Sequence, residues 1–223
     1  IVLCRSRGLD SRLSPLVEVL DANGDQVRFS RGTYRREPLV DFTSPADGTY
    51  RVRISDATYR GGSHFPYRLV LSTRPFIDYV WPPMAGPAST GSFTLFGRNL
   101  PGGRPVTAAA HADAGLEQVD VQIATPPHPQ SLSLTGASTR RDPNEIDVQG
   151  FEYRLPSPQG PSNPVFISLT SLPIVVEQEP ANNDRSKPQP LTLPCEVAGR
   201  FHPDRDGDWF SFTGRKGESY SVE

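Results

Sequence analysis

Apolar and polar residues alternate with a period of two in a series of short runs along this chain. Val17, Val19, Val27 and Phe29 flank an Asn23-Gly24 turn, which predicts a hairpin over 16–29. Leu39 to Phe42 reads as a short strand, followed by the turn residues Pro45-Ala46-Asp47-Gly48. Tyr50, Val52 and Ile54 then alternate with Arg51, Arg53 and Ser55, the pattern of a half-buried strand with a cationic outer face. Tyr67, Leu69 and Leu71 repeat the alternation.

A second stretch begins near Phe76. Strands are predicted at 77–81, stopped by Pro82-Pro83, and at 92–97, before the turn-rich Asn99-Leu100-Pro101-Gly102-Gly103. Val119, Val121 and Ile123 alternate, as do Phe151, Tyr153 and Leu155, and then Val165, Ile167 and Leu169. A long polar loop over 126–141 carries one short strand at Leu132 to Leu134. Five or six strands in about a hundred residues, with no helical period, suit an immunoglobulin-sized sandwich. The third stretch opens on an acidic, proline-bearing linker from Glu177 to Asp184. Strands follow at 195–201, 208–212 and from Ser219 onward.

Composition narrows the class without naming a reaction. Proline, at 24 of 223 residues, is about twice its usual share and is spread between the strands as turn punctuation. A net charge of −2 gives no reason to expect nucleic acid or an anionic membrane as partner. No apolar run approaches the ~20 residues of a membrane span. Cys4 and Cys195 have no metal-binding spacing, and two buried free thiols are favoured over a disulfide. Neither a His-Glu-x-x-His nor a Gly-x-Ser-x-Gly motif occurs. His64, His111, His128 and His202 are scattered, so the expectation is no catalysis in this chain.

Two stretches carry a family resemblance. Asp206-Gly207-Asp208-Trp209-Phe210-Ser211-Phe212 with Lys216-Gly217-Glu218 looks like the first half of the bacterial pre-peptidase C-terminal domain. The linker Glu179-Pro180 to Asp184 is similar to that family's opening segment. Ser11 to Gly24, Asp41 to Ser44, Asp47-Gly48-Thr49-Tyr50 and Tyr67-Arg68-Leu69 resemble its second half. The segment between them resembles the immunoglobulin-like domains of large exported proteins of planctomycete-type bacteria, with Asn99 to Gly103 as its clearest mark.

The resemblance implies an all-β chain of three parts. Residues 1–75 would be the C-terminal part of a jelly-roll-like β-sandwich, 76–176 an immunoglobulin-like β-sandwich, and 177–223 the N-terminal part of another jelly roll. The tail would complete the head as a circularly permuted sandwich, with 208–212 against the hairpin at 16–29 and Ile1 meeting Glu223 in one strand. The function implied is a non-catalytic module of a secreted, cell-surface or periplasmic protein. Its role would be adhesion, targeting or scaffolding, its partner an extracellular protein or polysaccharide or a neighbouring domain. The alternative is the accessory region of a secreted peptidase or other hydrolase whose catalytic domain lies elsewhere.

Two candidate sites follow. Glu179, Asn182, Asn183 and Asp184 in the linker, with Asp206 and Asp208 in a later loop, offer the hard oxygens that calcium takes in sixes to eights. Some members of the resembled family bind calcium in this manner, although Ala181 is inserted here and leaves open which Asn would ligate. The competing reading is turn and capping residues facing water. Asp21-x-Asn23-x-Asp25 copies the start of an EF-hand loop, but Gly32 stands where the twelfth-position Glu should be, so a hairpin turn is expected. The second candidate is a cationic, aromatic-bearing face of Arg51, Arg53, Tyr34 and Tyr59, suited to an acidic glycan or protein and weighed against an ordinary solvated strand face.

Overall fold

A computed structural model describes residues 1–32, 37–106, 115–130, 149–201 and 206–222. Among them strands dominate, and no helix is long and apolar enough to cross a membrane. Residues 1–75 form two three-stranded antiparallel sheets. One orders β4 (Leu39–Val40), β1 (Val2–Arg5) and β6 (Arg68–Leu71); the other orders β3 (Gln26–Ser30), β2 (Pro15–Leu20) and β5 (Arg51–Asp56). The predicted hairpin is β2–β3, and its turn closes because Asp21 Oδ1 accepts the N–H groups of Asn23 and Asp25, both at 2.9 Å.

Alternation explains how these sheets face each other. Val17 and Val19 of β2 and Val2 and Cys4 of β1 are buried together with Val40, and Phe42, Tyr50, Val52, Ile54 and Leu69 pack around them. Strand β1 is apolar on both faces. Its Leu3 points the other way, into a second cluster with Leu39 and Phe76. Cys4 remains a free thiol; burial first and Glu37 second push it up to about 11, so it is a packing residue and a poor nucleophile. Cys195 is likewise free, and only half-buried.

Residues 76–170 make a second two-layer sandwich. A four-stranded sheet orders β10 (Arg104–Pro105), β11 (Glu117–Ala124), β9 (Thr90–Arg98) and β7 (Phe76–Trp81). A three-stranded sheet orders β12 (Gly150–Tyr153), β13 (Val165–Leu169) and β8 (Met84–Ala85), with β8 and β13 parallel. Ile77, Leu95 and Ile167, all fully buried, lie at the centre of the shared core. Gly97 lets β9 approach β7 at its bulge, where a Cβ would sit 2.0 Å from the Phe76 carbonyl oxygen. Replacing the central Ile167 by Val removes one buried methylene from a close-packed interior. It is expected to cost about 0.5–1.5 kcal/mol, read as a lower urea midpoint at unchanged slope. The strand expected at 132–134 lies outside the described residues.

The tail departs from the expectation of a permuted sandwich. Its strands are β14 (Ile174–Val176), β15 (Gln189–Pro190), β16 (Glu196–Ala198) and β17 (Phe210–Ser211). They pair among themselves in parallel, β14 with β16 and β15 with β17, and no strand of 177–222 pairs with one of 1–75 among the described residues. The expected contact of 208–212 with the hairpin is therefore replaced by pairing of Phe210 and Ser211 with Gln189 and Pro190. The Val17 and Val19 face of β2 is already covered by the other head sheet. Among the described residues of the tail only Ala198 is a buried apolar side chain, while Trp209, Phe212 and Tyr220 are each more than 40% exposed. The expected meeting of Ile1 with Glu223 lies outside the described residues, since Glu223 is not among them.

Candidate metal centre

The linker after β14 is held in place by backbone turns and by one side chain. Ala181 N–H donates to the Gln178 carbonyl and Lys187 N–H to that of Asp184, both at 2.8 Å. Gln189, itself buried, accepts from Gln178 N–H and donates to the Val176 carbonyl, both at 3.0 Å. The Asn182 carbonyl accepts the Trp209 N–H at 2.9 Å, which brings the Asp206–Asp208 loop against the linker.

This closure gathers four carboxylates. Glu177, Glu179, Asp206 and Asp208 each offer an oxygen within 4.8 Å of the others. Glu177 is 8% exposed; its Oε2 accepts the Arg200 N–H at 2.7 Å. Asn182 is fully buried, and its Nδ2 lies 3.4 Å from both Glu177 Oε1 and Asp208 Oδ1. Its Oδ1 is buried with no hydrogen-bond partner, and the same holds for Asn183 Oδ1; the Glu179 carboxylate is buried beside the Asn183 and Asp206 side chains.

The electrostatics are those of crowded acids. The Asp208 carboxyl is pushed up to about 7, first by a hydrogen bond shared with Glu177, then by burial and by the charges of Glu177, Asp206 and Glu179. Burial, and next the Asp206 carboxyl beside it, raise Glu179 as well. Like charges at this spacing cannot all ionise without a compensating cation or shared protons. Buried acceptor oxygens without donors are costly for the same reason, and a cation satisfies them at one stroke.

Five of the six sequence candidates converge here or on the linker beside it: Glu179, Asn182, Asn183, Asp206 and Asp208. Asp184 does not. It faces solvent and accepts from the N–H and hydroxyl of Ser186 at 2.8 and 2.9 Å, and those bonds hold its carboxyl below the usual range. Glu177 is the ligand candidate that sequence reasoning counted with the linker. The strand rule would have found it, because Glu177 continues the phase of Val175 and so points inward from β14.

The second candidate face is dispersed. Arg53 pairs with Glu18, and Arg51 Nη1 donates to the Ala22 carbonyl at 2.9 Å, so both arginines brace the hairpin. Tyr34 lies outside the described residues. Tyr59 is 95% exposed in a loop anchored by buried Asp56, whose Oδ1 accepts the Thr58 hydroxyl at 2.6 Å and the Arg60 N–H at 3.1 Å. No protein family, curated protein or solved structure matches this chain.

Proposed function

We propose that this chain is a non-catalytic β-sandwich segment of an exported bacterial protein, serving adhesion, targeting or scaffolding, with a calcium ion fastening the tail linker to the Asp206–Asp208 loop. The observation that carries the metal reading is the gathering of four carboxylates, with the donorless buried amide oxygens of Asn182 and Asn183 on the same linker. Four carboxylates and two amide oxygens supply the six or more hard ligands that calcium prefers. Magnesium keeps several waters and is poorly served by so many protein oxygens on loops. The linker is closed by turns and short strands, the adaptable setting in which calcium sites are found.

An ion here fastens and catalyses nothing. It would join residues 177 and 179, at the start of the tail, to residues 206 and 208, near its last strand, and so close a segment whose described residues bury almost no apolar core of their own. Small segments of that kind depend on a metal or another cross-link. Calorimetric titration of the full chain is expected to show one calcium site with a Kd of about 10⁻⁴ to 10⁻³ M, the range of extracellular modules. Magnesium should compete poorly. Absence of heat up to 10 mM calcium, in a folded sample at neutral pH, overturns the metal reading.

A further inference from the structure

The turn of the β2–β3 hairpin carries a chemistry that the calcium and adhesion readings do not use. Asn23 is followed by Gly24, and no other asparagine of the chain is followed by glycine. Both residues are exposed, and the Asn23 side-chain amide has no hydrogen-bond partner among the described residues. Glycine has no side chain to shield its own N–H, and a Cβ on Gly24 would meet nothing within 4 Å. Its backbone also rearranges more readily than that of any other residue. The Gly24 nitrogen can therefore reach the carbonyl carbon of the Asn23 side chain.

The other asparagines lack this combination. Pro164, after Asn163, has no N–H to offer. The Leu100 N–H, after Asn99, is held by Glu117 Oε2 at 2.7 Å. Asn182 is fully buried, and the side-chain oxygen of Asn183 is buried too. Asn144 lies outside the described residues and precedes a glutamate.

A clasp around Asp21 holds the turn shut. The Gly24 N–H donates to the Asp21 carbonyl at 3.2 Å, while Asp21 Oδ1 accepts the N–H groups of Asn23 and Asp25, both at 2.9 Å. Attack by the Gly24 nitrogen needs that N–H released and the Asn23 backbone turned, so the clasp must open locally first.

We infer that Asn23 is the chain's site of spontaneous deamidation, at a rate set by opening of the Asp21 clasp. The Gly24 nitrogen gives its proton to solvent base, and its lone pair attacks Asn23 Cγ. The Cγ–Nδ2 bond breaks, Nδ2 takes up a proton and leaves as ammonia, and a succinimide ring remains. Water then opens either carbonyl of the ring, giving aspartate or isoaspartate at this position. Both products add a carboxylate to a turn that already holds Asp21 and Asp25. Isoaspartate also lengthens the backbone by one atom, inside a loop closed by the Asp21 N–H on the Asp25 carbonyl at 2.9 Å. The converted hairpin is looser at that end.

The test keeps the full chain folded at 37 °C, at pH 7 and at pH 8, and follows its peptides by mass spectrometry. Enzymatic methylation of isoaspartate separates the two products. Replacement of NH2 by OH should appear at Asn23 before any other asparagine, and sooner at pH 8. Exchange of the Asp25 amide should quicken in the converted chain. Asp21→Ala should speed conversion by about fivefold, the factor for loss of one ordinary hydrogen bond. Asp21→Asn, which keeps an acceptor oxygen and drops the charge, should speed it less. The readout needs no metal, so it stands apart from the calcium site. Earlier conversion at another asparagine, none at Asn23 while the urea-unfolded chain converts, or an unchanged rate in Asp21→Ala overturns the inference.

Discussion

Addition of 10 mM calcium to the metal-free chain is expected to stabilise the tail by about 1.4–2.7 kcal/mol, the value for a ligand at 10 to 100 times its Kd. For a chain of this size that is a rise of roughly 5 °C in the midpoint of the transition that reports on the tail. Trp209 is the natural reporter. Its N–H bonds the Asn182 carbonyl, so its amide exchange follows the closure of the linker onto the later loop. The effect should be local. Amides of β9 and β11, in the middle sandwich, lie in a separate and well-packed core and should exchange at the same rate with or without the ion. A calcium response spread evenly over the chain, or none at the Trp209 amide, contradicts the idea that the ion closes the tail.

Asp208→Asn should change stability in opposite directions according to whether calcium is present. In EDTA the variant is expected to be more stable than the parent, because one of four crowded carboxylates has lost its charge. In calcium it should be less stable, since a charged ligand has gone and affinity falls about tenfold or more. The pH dependence carries the same sign argument. A folded-state carboxyl at about 7 against an unfolded value of about 4 means that the folded metal-free chain binds more protons between those limits. Its stability therefore declines as pH rises from about 4 to 7, and Asp208→Asn flattens that decline. Calcium opposes it by neutralising the ionised cluster. If Asp208→Asn destabilises equally in EDTA and in calcium, the carboxylate serves only as a hydrogen-bond partner and the metal site is refuted.

Much of the head and middle was legible from periodicity because alternation marks strands of this length, although the 67–71 run leaves Tyr67 and Leu71 exposed and pairs with the distant β1. The 16–29 hairpin is the plainest example: the Asn23-Gly24 turn and the buried Val17 and Val19 face agree, whereas the ladder shifts register between Val19 and Leu20 and Phe29 lies exposed opposite Glu18. The tail was not legible in this way. Strands β15 and β17 have two residues each, too few for a period to show, and they pair in parallel across twenty residues. Local alternation holds no information about such a pairing. The family resemblance supplied an architecture instead, and the closure of the tail onto the head that it implied is not what the strands form.

The candidate site was legible as chemistry and only partly as geometry. Oxygen-bearing residues in two loops announced a hard cation, but their spacing did not separate Asp184, which turns back to Ser186, from Glu179, which turns inward. Glu177 is the instructive case. An acidic side chain in phase with a strand's inner face is a departure from the binary pattern, and departures of that kind mark sites.

An ion pair and a short strand pairing lie at the joints between the three parts. Arg98 of the middle sandwich is nearly buried and contacts Asp41 of the head at 3.1 Å as well as Asp78 of its own sheet. Strand β14 then runs from the middle sandwich directly into a parallel pairing with β16. Tension along the polypeptide would load that parallel pair in shear, straining its three rungs together, whereas antiparallel neighbours pulled from one end peel rung by rung. Those three paired residues are therefore where the tail would first resist being drawn away from the middle sandwich.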